Sequence, residues 1–148
     1  MCYMTLLSTT STDDLSLAND DLVCFSRELP GIPEEKYLAF PRKWFVGSKS
    51  GCSCSFRHLY VSSVVLGFGE PVDWFPEEAS DVEATRELIA AVRALVEKGE
   101  NVDLVDIWAH GQGEAGPLDG ELEVDLREVA DASFRLFENH RFTFSNRI

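Results

Sequence analysis

The sequence predicts an α+β fold, a single domain over residues 1–148 in which helices pack on a mostly antiparallel sheet of about six to seven strands. Three observations carry this. With 148 residues, 45% of them hydrophobic and 26% charged, the chain has the composition of one ordinary globular core. Short segments rich in β-branched and aromatic residues gather ahead of the main helix instead of alternating with helices. One segment alone, 81–98, combines a helical apolar stripe with stop and start signals.

Residues 2–9 (CYMTLLST) read as a first strand. Ser11 is placed to cap a short helix over about 12–20, where Leu15, Ala18 and Leu22 fall at helical spacing. Val23 to Leu29 is strand-like and is closed by Pro30, Gly31 and Pro33. Residues 37–40 and 42–46 are strand-like on either side of Pro41, which lacks an N–H for the ladder and so favours an edge or a break. Residues 47–55 form a loop of small residues. Residues 56–66 read as a long strand apolar on both faces.

Trp74 and Phe75 anchor an irregular stretch before the main helix. There Ser80 and Glu83 make a capping box, Val82, Leu88, Ile89, Val92, Leu95 and Val96 form the stripe, and Gly99 supplies the stop. A helix of this size can cross over a parallel strand pair, so the sheet has room to be mixed. Val102 to Ala109 is a strand leading into the glycine-rich turn 110–120, and 121–126 alternates cleanly. A shorter helix near 128–137 and a strand over 140–145 complete the chain.

Charge excludes some functions. Thirteen basic residues against 26 acidic ones leave a net charge of −13, which repels nucleic-acid phosphates and anionic membrane surfaces. The exception is residues 36–60, where Lys36, Arg42, Lys43, Lys49 and Arg57 occur with no acid. Such asymmetry points to a local site. The N-terminal stretch lacks the basic region of a secretory signal, so a cytoplasmic location, with reduced thiols, is the expectation.

The four cysteines are therefore read as buried thiols, metal ligands or redox groups. Cys52-x-Cys54 is the sharpest local motif. Two sulfurs facing one way supply half of a tetrahedral zinc site, His58 a third ligand, and Cys2, Cys24 or His110 a fourth. The opposing reading makes Cys52 and Cys54 small turn residues, with Cys2 and Cys24 as small buried hydrophobes. In the same loop, Lys49 and Arg57 with free backbone N–H groups suit an anion. A third constellation is Asp106, Trp108 and His110, on one strand face at the mouth of the 110–120 turn, where a carboxylate and an imidazole suit general base work in a pocket.

No nucleophile elbow, HExxH or complete GxGxxG occurs. With no catalytic constellation completed, the sequence favours a non-catalytic acidic module that binds a protein partner and needs no cofactor. The alternative is a zinc-binding or thiol-redox protein centred on Cys52 and Cys54. An exposed edge strand near Pro41 or the C-terminus would also allow a homodimer.

Overall fold

The computed structural model describes residues 2–109 and 117–145. Its core element is a six-stranded sheet built from β1 (Cys2–Thr9), β2 (Val23–Ser26), β3 (Arg42–Ser48), β5 (Val102–Ala109), β6 (Gly120–Asp125) and β8 (His140–Ser145), in the order β2-β3-β1-β5-β8-β6. All pairs are antiparallel except β6 with β8. The fold is α+β and the sheet is mixed. The parallel pair is not the one that helix 81–98 would bridge; it lies after that helix, across residues 126–139. A second, two-stranded sheet pairs β4 (His58–Leu59) with β7 (Leu136–Phe137) in parallel.

The one long helix among the described residues, α1 (Ala79–Glu97), buries Leu88, Ile89, Val92 and Leu95 against Leu7, Trp44, Val46, Leu104 and Phe142 of the sheet. It starts two residues earlier than the capping box suggests. Glu78 takes the N-cap position without a side-chain cap, and Ser80, now inside the helix, accepts from Lys49 Nζ at 2.8 Å. Gly99, at φ +89°, ends the helix as expected, since only glycine adopts this backbone without strain. The opposite sheet face carries a smaller cluster of Leu6, Val105 and Ile107, covered by Leu38. No helix among the described residues is long and apolar enough to cross a membrane.

Two expected elements do not form. Residues 56–66 are not one long strand: they make β4 and then a 3-10 turn (Val61–Leu66) with Val61 and Val65 exposed. Residues 128–137 are not a helix: they make a short 3-10 turn (Asp131–Ser133) and β7.

Each of the two segments contributes an arginine to one buried cluster. Arg57 and Arg135 are fully buried and converge on Glu77. Arg57 Nε and Nη2 meet the two carboxylate oxygens at 2.8 and 2.9 Å, and Arg135 Nη2 lies 2.9 Å from Oε1. Arg135 Nε also donates to Oε1 (3.3 Å), and the other guanidinium bonds go to the carbonyls of Gly67, Gly69, Glu70, Ala132 and Phe134. All five acceptor carbonyls lie outside the α-helix and the strands, where they have no ladder or α-helical partner and are free to satisfy the buried guanidiniums.

The expected short helix over 12–20 is a 3-10 turn (Leu15–Ala18) capped by Asp14, not Ser11. Residues 37–40 are not strand either: Tyr37 ends a 3-10 turn (Pro33–Tyr37) and 38–40 are irregular. The expected free edges also move. The strand after Pro41 lies between β2 and β1, and the C-terminal β8 between β5 and β6. The true edges are the four-residue β2 and the strand β6, whose exposed Glu121 and Glu123 discourage pairing with a second copy.

Replacing Glu77 with Ala leaves two buried guanidiniums without their shared carboxylate. Urea denaturation is expected to show a loss of about 3–5 kcal/mol, against under 1 kcal/mol or so for the exposed Glu128→Ala.

Candidate metal centre

The cysteine loop is placed by the first strand. β3 pairs with β1 from Thr9 opposite Arg42 to Thr5 opposite Val46, then leaves the ladder. Residues 53 and 54 take over its place. Tyr3 N donates to Cys54 Sγ (3.3 Å), Ser53 N donates to the Tyr3 carbonyl (3.2 Å), and Thr5 N donates to Ser53 Oγ (2.8 Å). Ser48 closes the turn: its N and Oγ both donate to the Cys52 carbonyl, at 2.8 and 2.6 Å. Gly51, at φ +89°, supplies the left-handed residue that this tight return needs.

The consequence is a cluster that a sequence motif of two cysteines does not contain. Cys2, next to Tyr3 on β1, is brought to the loop, and the sulfurs of Cys2, Cys52 and Cys54 lie within 4.8 Å of one another. Three thiolates around one zinc ion, at about 2.3 Å each, sit about 3.8 Å apart in tetrahedral geometry. The observed group therefore needs to close by no more than about 1 Å. All three thiols are free and partly buried, while Cys24 is exposed on β2 and lies outside the cluster. The expectation that Cys2 and Cys24 are both buried as small hydrophobes is not met.

The loop distributes charge unequally between its two thiols. Burial opposes ionisation at Cys52. Bonds from the Cys54 thiol, the Ser50 hydroxyl, the Cys54 amide and the Cys2 thiol outweigh it and bring the group down to about 7. At Cys54, burial and the proton shared with Cys52 push the thiol up to about 12. One sulfur of the cluster is thus substantially thiolate near neutral pH, the form that both binds metal and attacks electrophiles.

The other site residues named from sequence are placed differently. Both ring nitrogens of His58 are engaged, Nδ1 with Asp106 Oδ2 at 2.7 Å and Nε2 with the Ser53 carbonyl. Both partners are acceptors, so the ring carries a proton on each nitrogen and has no lone pair for a metal. His58 instead lies flat on Tyr3, with ring centroids 3.9 Å apart, and supports the loop from behind. Burial works against this imidazolium, but the buried Asp106 carboxylate more than compensates and raises its pKa above the ordinary value.

Lys49 and Arg57 do not converge on the loop to hold an anion. Lys49 reaches Ser80 and Glu78 at the start of α1, and Arg57 is locked onto Glu77. Asp106 has His58 and Thr5 Oγ1 as partners, and Trp108 packs edge-on against Tyr3. His110, the remaining member of that expected pocket, lies outside the described residues.

The sequence does not mark Tyr3 and Ser53, which act through backbone groups, the Ser53 hydroxyl and the stacked Tyr3 ring. In sequence Cys2 is one of three alternatives for a fourth ligand, with Cys24 and His110, because nothing local links position 2 to position 52. No protein-family model, curated protein or solved structure matches this chain.

Because the folded pKa of His58 is raised above 6.5, its ion pair stabilises the fold fully below about pH 6.5, and that contribution is lost as pH rises through the folded pKa. Comparing the wild type with His58→Gln by urea denaturation isolates this group from the thiols. The wild-type advantage is expected to be largest at pH 6 and to shrink toward alkaline pH, and an imidazole NMR titration should give a midpoint above 6.5.

Proposed function

We propose that this protein binds a thiophilic metal ion, Zn²⁺ in the first instance, through Cys2, Cys52 and Cys54. The observation that carries the reading is the mutual approach of three sulfurs from two separate segments, within 4.8 Å. Soft thiolates favour Zn²⁺ or Cu⁺ over hard cations. Three protein ligands leave one tetrahedral position for water or another donor. The N–H of Tyr3 aimed at Cys54 Sγ supports the reading further, since it stabilises charge on the ligand sulfur and fixes its direction.

Native mass spectrometry with elemental analysis tests this. One zinc per chain is expected, lost in Cys52→Ser and Cys54→Ser and retained in Cys24→Ser. Zinc content unchanged by the first two substitutions would overturn the reading. So would wild-type protein that fails to compete with a chromophoric zinc chelator.

A second reading, a non-catalytic module for a protein partner, is favoured by a different surface. Tyr60, Val61, Val65 and Trp74 are exposed in one stretch, Val65 at 90% and Trp74 at 73%. The segment 58–85 contains no lysine or arginine, and Glu70, Asp73 and Glu78 border the apolar residues in sequence. Exposed apolar residues interspersed with acids along one segment suit a partner that offers apolar and basic groups. Val65→Asp and Trp74→Ala are expected to leave zinc content unchanged while abolishing co-purification of any partner held by the wild type.

A further inference from the structure

We infer that a second site, at the opposite end of β3 from the cysteines, binds a small phosphate-class dianion, either inorganic phosphate or the phosphoryl group of a small phosphomonoester. The walls come together for topological reasons. Thr9 pairs with Arg42, so the chain leaving β1 carries Thr12 and Asp13 over the start of β3. Ser26 pairs with Phe45, so Arg27 falls beside Trp44 as the chain leaves β2. The result is a cavity of about 170 Å³ lined by Thr12, Asp13, Arg27, Pro41, Arg42, Lys43 and Trp44.

Three properties of this cavity point to an anion. First, three basic residues, Arg27, Arg42 and Lys43, line it in a protein whose net charge is −13, and none of the three forms an ion pair among the described residues. The other basic residues of the acid-free stretch are used elsewhere: Lys49 on Ser80, Arg57 on Glu77, and Lys36 over the Tyr37 ring. The one carboxylate in the wall, Asp13, is already met by Lys98 Nζ at 3.0 Å.

Second, Trp44 in the same wall is only 2% exposed, and its indole Nε1 has no hydrogen-bond partner among the described residues. A buried N–H left unpaired is costly and uncommon, and here the donor belongs to a residue of a cationic cavity. Third, the Arg27 guanidinium lies over the Trp44 ring, 5.0 Å from its centroid, so its position is set before any ligand arrives.

Size and donor type narrow the class. The volume falls below the ~300 Å³ at which cavities begin to enclose a drug-sized ligand. The guanidiniums of Arg27 and Arg42, the Thr12 hydroxyl and the Trp44 indole N–H are all able to donate, whereas Lys43, next to Arg42 on β3, starts from the other face of the strand; planar guanidiniums match the oxygens of phosphate in pairs. Residues 45–48 of β3 lie between Trp44 and the cysteine loop, about 13 Å of strand. The inference therefore stands or falls independently of the metal reading.

The test follows the three indole N–H signals by ¹H–¹⁵N NMR, that of Trp44 being assigned by its loss in Trp44→Phe. Sodium phosphate and phenyl phosphate are titrated separately, against sodium chloride at matched ionic strength. A saturable shift confined to the Trp44 signal is expected, with affinity reduced about tenfold in Arg42→Gln and unchanged in Lys36→Gln. Tighter binding of phenyl phosphate identifies a phosphomonoester as the ligand; equal or weaker binding identifies free phosphate. An equal shift with chloride, no saturable shift into the millimolar range, or wild-type affinity in the Arg27→Gln/Arg42→Gln double variant would each overturn the inference.

Discussion

Two carboxylates buried on one strand organise this molecule. Asp103 and Asp106 of β5 are both inaccessible to solvent and, three residues apart, face opposite sides of the sheet. Neither can stay charged there without partners. Asp103 takes the Ser8 hydroxyl, the Ala39 amide and the Arg141 guanidinium, which pins residues 38–40 across one face. Asp106 takes Thr5 and His58 on the other face, and His58 in turn holds the Ser53 carbonyl. The cysteine loop is thus tied, through one imidazolium, to the centre of the sheet.

A cluster of thiols set in this way differs from one carried on a free loop. Ser53 is hydrogen-bonded to β1, to β3 and to His58, so the residues on either side of it, Cys52 and Cys54, have little freedom to swing apart. The sulfurs are pre-positioned before any ligand is considered, and the ordering cost falls on folding instead of on binding. The cationic cavity at the far end of β3 rests on the same logic: its walls meet because the registers of β1 and β2 against β3 leave no alternative.

Much of the fold is legible in the sequence where one force dominates. The stripe of α1, the β-branched run of β5 and the strict alternation of 121–126 are all set by burial of one face, and each appears close to where its pattern puts it. The pattern fails at 56–66 and 128–137, where Arg57 and Arg135 look like surface residues but are buried on Glu77. Periodicity counts apolar residues and cannot see a charge that is buried because a third residue, far along the chain, neutralises it. The site divides similarly. Cys52 and Cys54 announce themselves by spacing. Cys2 joins them only through the gap that β3 leaves in its ladder with β1, and His58, attractive by proximity, is claimed by Asp106 instead.

The place of β1 in the sheet also orders events in time. Its neighbours are β3 on one side and β5 on the other, so Cys2 finds its loop partners within the first 54 residues, whereas its ladder partner Ala109 comes far later. Such long-range closure puts the chain among slowly folding topologies. On a chain emerging from the ribosome, all three sulfurs precede the strand that will cover the other edge of β1. Until β5 arrives, that edge is open to any strand that meets it. A growing chain therefore carries its thiols and an unpaired edge of β1 together, before the Asp106 carboxylate has been made.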